Sequence, residues 1–261
     1  MHGKERAIGP ALAAIGLQLE VPEGLDTDRL GTFTGEVPRL LPMRDCARQK
    51  ARLAMERAGL AIGIGSEGSF GPHPEAGFIA AGRELLHFID SARGIEISVE
   101  RMSPRTNFAS LALEPETDVE GFLDSIGFPS HAVIVRAQGF LDKGITSRAH
   151  LDAALARALA LGGARIETDM RAHLNPTRMG EIASLAKSLA ERLATPCPAC
   201  AAPGFGPERQ EAGLCCRACG TPTRLIKRII HRCTACGHEQ ALPRPDRLTH
   251  ADAQYCPECN P

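Results

Sequence analysis

"IGIGSEGSFGPHP" (62–74) decides how the larger part of this chain is read. Ile62 and Ile64 are apolar enough for a core strand, and Gly65, Gly68 and Gly71 punctuate the residues after them. Glu67 then falls at the end of a buried strand, where a carboxylate is costly unless something pairs with it. A glycine turn at that point lets a ligand approach the backbone. Ser66 and Ser69 flank the acid and join it as candidate ligand-binding residues.

Outward from this stretch, short apolar runs alternate with helical patterns from residue 10 to 195. Strands are expected at Leu17–Val21, Ala61–Ser66, Leu85–Asp90, Ile95–Glu100, His131–Arg136 and Arg165–Thr168. "LLHFIDSARGIEISVE" reads as a hairpin, two β-type runs around a glycine-containing turn. Helices are expected at Ala11–Gly16, Arg44–Ala58, Val119–Ile126, Ser147–Leu161 and Thr177–Ala194, the last with Asn175 as cap and Pro176 at its first position. Such alternation predicts an α/β domain, a mixed or mostly parallel sheet flanked by helices. In such sheets ligands sit outside the carboxyl ends of the strands.

The 261 residues suit one large domain or two smaller ones. At 43% hydrophobic and 23% charged the composition is that of a soluble globular protein. A net charge of −1 excludes a general attraction to nucleic acid or anionic lipid. There is no apolar run of transmembrane length, so no membrane partner is expected. The opening "MHGKERAIGP" has no h-region of a signal peptide, and a cytoplasmic location is expected.

Nine of the ten cysteines lie between Cys197 and Cys259, and Cys46 stands alone. Helix formers give way to Pro, Gly, Cys and Arg at Thr195–Pro196, which sets domains at 1–195 and 196–261. The later one contains "CPAC" (Cys197, Cys200), "CRAC" (Cys216, Cys219), "CTAC" (Cys233, Cys236) and "CPEC" (Cys256, Cys259). Two intervening residues let both sulfurs of one tight turn reach a single ion, and two such turns complete a tetrahedron. Combined in order, the pairs predict two tandem zinc ribbons, with Cys215 as a spare. Disulfides would need an oxidising compartment, and iron–sulfur ligation uses other spacings. A segment this short draws its folding energy from the metal. "RLIKRIIHR" (Arg224–Arg232) reads as a basic strand. Yet eight basic against six acidic side chains in 197–261, with two four-thiolate zinc sites, leave about −2, a poor footprint for nucleic acid. Nucleic-acid binding stays open, beside a structural or protein-docking role.

Three further stretches carry chemistry. "HGKE" offers His2 and Lys4 at the entry to a helix, where backbone N–H groups and a cation suit phosphate. Such a loop normally comes after a strand, and only Met1 precedes it, so either that strand is absent or the true start lies upstream. "DCARQKARLAMERAG" places Asp45 in a first helical turn, where it suits the helix dipole, and Lys50 further along. "IETDMRAHLNPTR" carries Glu167, Asp169, Arg171 and His173, which share one face if extended, and ends at Arg178. That group suits a metal, a phosphate or a purine edge, and equally an internal salt-bridge network.

In their order, "HGKE…DCARQKA…GIGSEGSFG" resembles the inosine/xanthosine triphosphatase-like house-cleaning nucleotide pyrophosphatases over residues 1–160. The resemblance implies a phosphate-binding loop at Lys4, with His2 where that family has Asn. It also implies an acidic–lysine helix at Asp45 and Lys50 and a strand-end acid at Glu67. Asp45, Lys50 and Glu67 are then the candidate catalytic residues. His2, Lys4, Ser66, Ser69, Glu167, Asp169, Arg171, His173 and Arg178 are candidates for substrate binding. Asp45 and Glu67 would hold Mg²⁺, which activates a water, while Lys4 and Lys50 offset phosphate charge. The implied fold is inosine triphosphatase-like, the implied ligand a nucleotide, and a homodimer is expected by analogy alone. Over its whole length, "VPEGLDTDRLGTFT…SEGSFGPHP…ETDMRAHLNPTRM…CPAC" resembles a bacterial family known only as a domain of unknown function.

Two other readings compete with hydrolysis of nucleoside triphosphates. One is a non-catalytic nucleotide-binding or RNA- or protein-binding zinc-ribbon protein. The other is a metal hydrolase centred on Glu167, Asp169 and His173.

Overall fold

The computed structural model describes residues 3–25, 41–114 and 116–261. Among these the chain forms two compact units, Met1–Ile89 with Ser98–Ala190, and Asp90–Ile97 with Glu191–Pro261.

The first unit opens with helix α1 (Glu5–Ala13) and helix α2 (Met43–Ala58). Three long strands come next, β1 (Ile62–His73), β2 (Ala76–Asp90) and β3 (Ile95–Ser103), forming a sheet in that order. Only Pro74 and Glu75 join β1 to β2, a connection that can close only an antiparallel hairpin. The glycines expected in a turn after Glu67 instead lie inside β1, where packing accounts for Gly68 and, before it, Gly65. Helix α2 buries Cys46, Ala47 and Ala51, all small, against this strand. A Cβ on Gly65 would lie 1.9 Å from the Ala47 carbonyl oxygen, so helix and strand backbones approach as closely as glycine allows.

A second sheet has the order β4–β7–β5–β6, from Ser110–Ala112, Arg165–Thr168, Val133–Ala137 and Phe140–Ile145. Helices α3 (Val119–Ile126) and α4 (Arg148–Leu161) cover it. Leu123, Ile126, Leu151, Ala154 and Ala158 pack on Val133, Val135, Ile145 and Ile166 in one core. Asp118 and Ser147 cap these helices through their side chains. Helix α5 (Pro176–Ala194) starts as expected, with Asn175 Oδ1 accepting from the Arg178 amide at 3.0 Å.

The fold is thus mixed α/β with small antiparallel sheets, which corrects the expectation of a mixed or mostly parallel one. The misleading feature is β6–α4–β7. Both strands run antiparallel to β5 and therefore parallel to each other, but β5 lies between them. A strand–helix–strand pattern cannot reveal that another strand has been inserted. Leu17–Val21, expected as a strand, forms none.

In the second unit β8 (Gly206–Ala212), β9 (Ile226–Arg232) and β10 (Glu239–Pro243) form one antiparallel sheet with β9 at its centre. No helix among the described residues is long and apolar enough to cross a membrane.

Candidate functional site

The cysteines form two tetrads whose sulfurs lie close enough to hold a metal ion, and the tetrads are interleaved. Cys197 and Cys200 meet Cys233 and Cys236, while Cys216 and Cys219 meet Cys256 and Cys259. This corrects the sequential pairing, and the sheet supplies the reason. Antiparallel pairing of Gly206 with Arg232 brings the chain before β8 beside the chain after β9, joining the first and third pairs. The second pair lies at the opposite end of that hairpin. Beyond β10 the chain returns to it, where the Arg217 amide donates to the Ala251 carbonyl at 2.9 Å. One sheet therefore carries a tetrad at each end, rather than two ribbons in succession.

The sulfur spacing fits an ion. Four thiolates held at about 2.3 Å from a tetrahedral centre lie about 3.8 Å apart. The pairs Cys197–Cys236, Cys200–Cys233, Cys216–Cys259 and Cys219–Cys256 stand at 3.8, 3.7, 3.9 and 3.5 Å. A disulfide would bring sulfurs to about 2.05 Å, and none of the ten cysteines is in a disulfide. Each turn is closed by a backbone bond onto its first cysteine's carbonyl, from Ala201, Gly220, Gly237 and Asn260. Cys215 is outside both tetrads. The basic strand β9 is largely neutralised by its neighbours. Arg228 pairs with Glu211, and Arg232 lies 3.7 Å from Glu239, which also holds Arg209 at 2.7 Å.

In the first unit the two faces of β1 carry different chemistry. On the face toward α2, Glu67 is almost fully buried and ion-pairs with Lys50, whose side chain is 17% exposed. Here Glu67 holds the Lys50 ammonium. Asp45, one turn earlier on α2, is half-exposed and pairs with Arg48 at 3.3 Å. Ser66, the neighbour of Glu67, points to the opposite face, as alternation requires, and accepts a hydrogen bond from Lys4 Nζ at 3.0 Å. Gly68 is on that same face, where an added Cβ would lie 2.5 Å from an Arg178 nitrogen. Arg178 reaches it from the first turn of α5. Its Nε donates to Glu84 Oε1 at 2.6 Å, and it also donates to the Met170 carbonyl. Its guanidinium lies 5.1 Å from the centre of the Phe70 ring.

Lys4 is held in an unusual state. Burial, then the positive charge of Arg178, pull its pKa from 10.5 down to about 7, against the opposing pull of Glu84. The half-buried ammonium there faces another cation. The sign for stability comes from proton linkage. Between pH 7 and 10.5 the unfolded chain holds the Lys4 proton more tightly than the folded one. The Lys4 contribution therefore makes stability rise with pH across that window. Lys4→Met is expected to raise the melting temperature at pH 7 and to flatten this rise, both read by thermal unfolding of the two proteins at a series of pH values.

The "ETDMRAH" segment does not share one face, which corrects the extended reading. Strand β7 stops at Thr168, and Ala172–Leu174 form a 3-10 turn. Glu167 stays on the sheet, 3.6 Å from Arg136. Asp169 is fully buried, accepts from Gly144 N at 3.1 Å and forms a bidentate pair with Arg171 at 2.6 and 3.0 Å. This is the internal salt-bridge network. His173 is exposed beside Gly3, and burial followed by the Arg171 charge lowers its pKa. Ser69 is exposed, and His2 falls outside the described residues.

The structure thus joins Lys4, Ser66 and Arg178, joins Lys50 to Glu67 across the strand from them, and leaves Asp45 and Glu167 in separate pairs. Among the described residues, three or more metal-ligating groups come together only in the cysteine tetrads. Glu84 and Phe70 were missed by sequence reasoning. Glu84 had a signal, a lone acid at the head of the apolar run "ELLHFI".

A family model described as a domain of unknown function (DUF6671) matches residues 50–261. No curated protein and no solved structure matches the chain.

Proposed function

This chain belongs to the DUF6671 family, and from its own residues we propose that it is a zinc protein that binds a nucleotide through the Lys4–Arg178 face of its first unit. One observation carries the reading. Lys4 and Arg178 converge on a face where Glu84 is already paired with Arg178, and the Arg178 charge lowers the pKa of Lys4. A polyphosphate supplies the missing negative charge, and the Ser66 hydroxyl beside Lys4 offers a further polar contact. Glu84 and Arg178 fall within the family match, and Lys4 precedes it.

Each tetrad takes one Zn²⁺, the ion that four thiolates in a closed tetrahedron favour, and its role is structural because no coordination position is left open. Calorimetric titration of the zinc-loaded full chain with inosine, xanthosine and adenosine triphosphates tests the nucleotide reading. Saturable binding is expected, weakened at least tenfold by Lys4→Met. Absence of binding, or equal binding by that variant, refutes it.

The hydrolytic reading, a Mg²⁺-dependent nucleoside triphosphate pyrophosphatase with an inosine triphosphatase-like fold, rests on motif order alone, and Glu67 is here engaged by Lys50. It requires Glu67 to exchange Lys50 for a cation shared with Asp45, with Lys4 acting from beyond β1. Mg²⁺-dependent release of pyrophosphate, lost in Glu67→Gln, would support it. No release from any of the three triphosphates, with Glu67→Gln equal to the parent, would end it.

A further inference from the structure

We propose that a second anion site, a cleft at the end of β3 lined by Arg101, Ser103, Arg105, Thr106 and Phe70, binds the phosphoryl group of a phosphate monoester. The cleft also includes Gly82, Glu84, Arg178 and Glu181 in its wall. The cleft shares Arg178 and Glu84 with the nucleotide face, but its five named residues lie outside that reading and none of them was singled out from sequence.

Strand β3 ends at Ser103, and the loop Ser103–Thr106 turns back under its own hydroxyls. Ser103 Oγ accepts from the Arg105 amide and Thr106 Oγ1 from the Phe108 amide, each at 3.1 Å. Both hydroxyls spend acceptor capacity on the loop and keep their protons to donate. Arg101 is fixed by hydrogen bonds to Ser184 and, at 3.1 Å, to Ser188 of α5. Those partners are neutral, so its charge persists while its position is set. Arg105 is exposed, and its guanidinium has no carboxylate partner among the described residues. Arg178 contributes charge rather than donors, since Glu84 and Met170 occupy them. Three guanidinium groups face two carboxylates, leaving the cleft positive.

Donor geometry selects the ligand class. The hollow counted with its open mouth is about 320 Å³, and little of it is walled deeply enough to hold more than one water, so the ligand's charged group lies at the mouth against the guanidinium and hydroxyl groups. Guanidinium forks with two hydroxyl donors match the three oxygens of a phosphoryl group better than the two of a carboxylate. Phe70, stacked on Phe108 at 6.3 Å between ring centres, gives the mouth an apolar wall.

The test is calorimetry on the zinc-loaded full chain with inorganic phosphate, phenyl phosphate, acetate and benzoate. Phosphate is expected to bind saturably, phenyl phosphate more tightly, and both carboxylates at least tenfold more weakly than their phosphate counterparts. Arg105→Ala, on an exposed loop, should weaken phosphate binding about tenfold with an unchanged melting temperature. The proposal is overturned by no saturable phosphate binding, by equal affinity for acetate, or by parent-like affinity in Arg105→Ala. Loss of phosphate binding in Lys4→Met alone would place the ion on the Lys4 face and equally overturn it.

Discussion

Stripping the metal from the full chain with a strong chelator is expected to unfold residues 191–261 while the first sheet and its helices persist. The reason is the thinness of the core in this segment. Beyond Leu193 its buried apolar residues are Cys197, Phe205, Leu214, Cys216, Ile230, Cys233, Ala251 and Cys256, half of them metal ligands. A structural zinc contributes roughly 10–16 kcal/mol in small domains of this kind, more than the whole stability of many domains. Nuclear magnetic resonance should show amide dispersion lost for β8, β9 and β10 and retained for β1 and β2. The interleaved tetrads sharpen the expectation. Cys197→Ser and Cys233→Ser should each remove the same ion, Cys216→Ser and Cys256→Ser the other, and Cys215→Ser neither, as counted by elemental analysis. Dispersion surviving metal removal, or ions lost according to sequential pairing, would contradict this.

Glu84→Ala has the next largest expected effect. Arg178 is 1% and Glu84 6% exposed, so the substitution removes the carboxylate that faces a guanidinium in the interior. Breaking a buried pair from one side costs about 3–5 kcal/mol. At about 2–4 °C per kcal/mol for a chain of this size, the melting temperature should fall by roughly 6–20 °C. Replacing both partners, Glu84→Leu with Arg178→Met, should recover most of the loss, because an apolar pair has no stranded charge. A melting temperature unchanged by Glu84→Ala would mean that the pair is solvated and that this face is not the buried site described here.

The legible parts of the sequence were those whose signals are local. Helix α3 matched its expected span, and α2 and α5 each began one residue earlier, with Asn175 and Pro176 opening α5 as read. The cysteine spacing named all eight metal-site candidates, because two residues between sulfurs constrain a single turn. Which turns would share an ion was not legible. That is set by strand pairing, Gly206 with Arg232, and no spacing rule carries it. The same gap explains the sheet, where β5 inserted between β6 and β7 converts an apparent parallel crossover into antiparallel neighbours.

For the candidate site, Glu67 and Lys50 were read as partners of a ligand and are partners of each other. The glycines beside them looked like a turn that admits a ligand. Gly65 instead admits α2, and Gly68 admits Arg178. Residue type revealed the need for a close approach but not what approaches. Arg101 and Arg105 carried no motif at all; only the turn of the chain at Ser103 and the serines of α5 make them a pair.

The proton affinity of Lys4 tests the central claim most directly. Isotope labelling of the lysine side chains allows the Lys4 amine to be titrated by nuclear magnetic resonance, in the free zinc-loaded protein and with saturating nucleoside triphosphate. The account predicts a pKa of about 7 without ligand and a clear rise toward the usual lysine range with it, since a bound phosphate favours the charged amine. A free-protein value near 10.5, or one that nucleotide leaves unmoved, would contradict it.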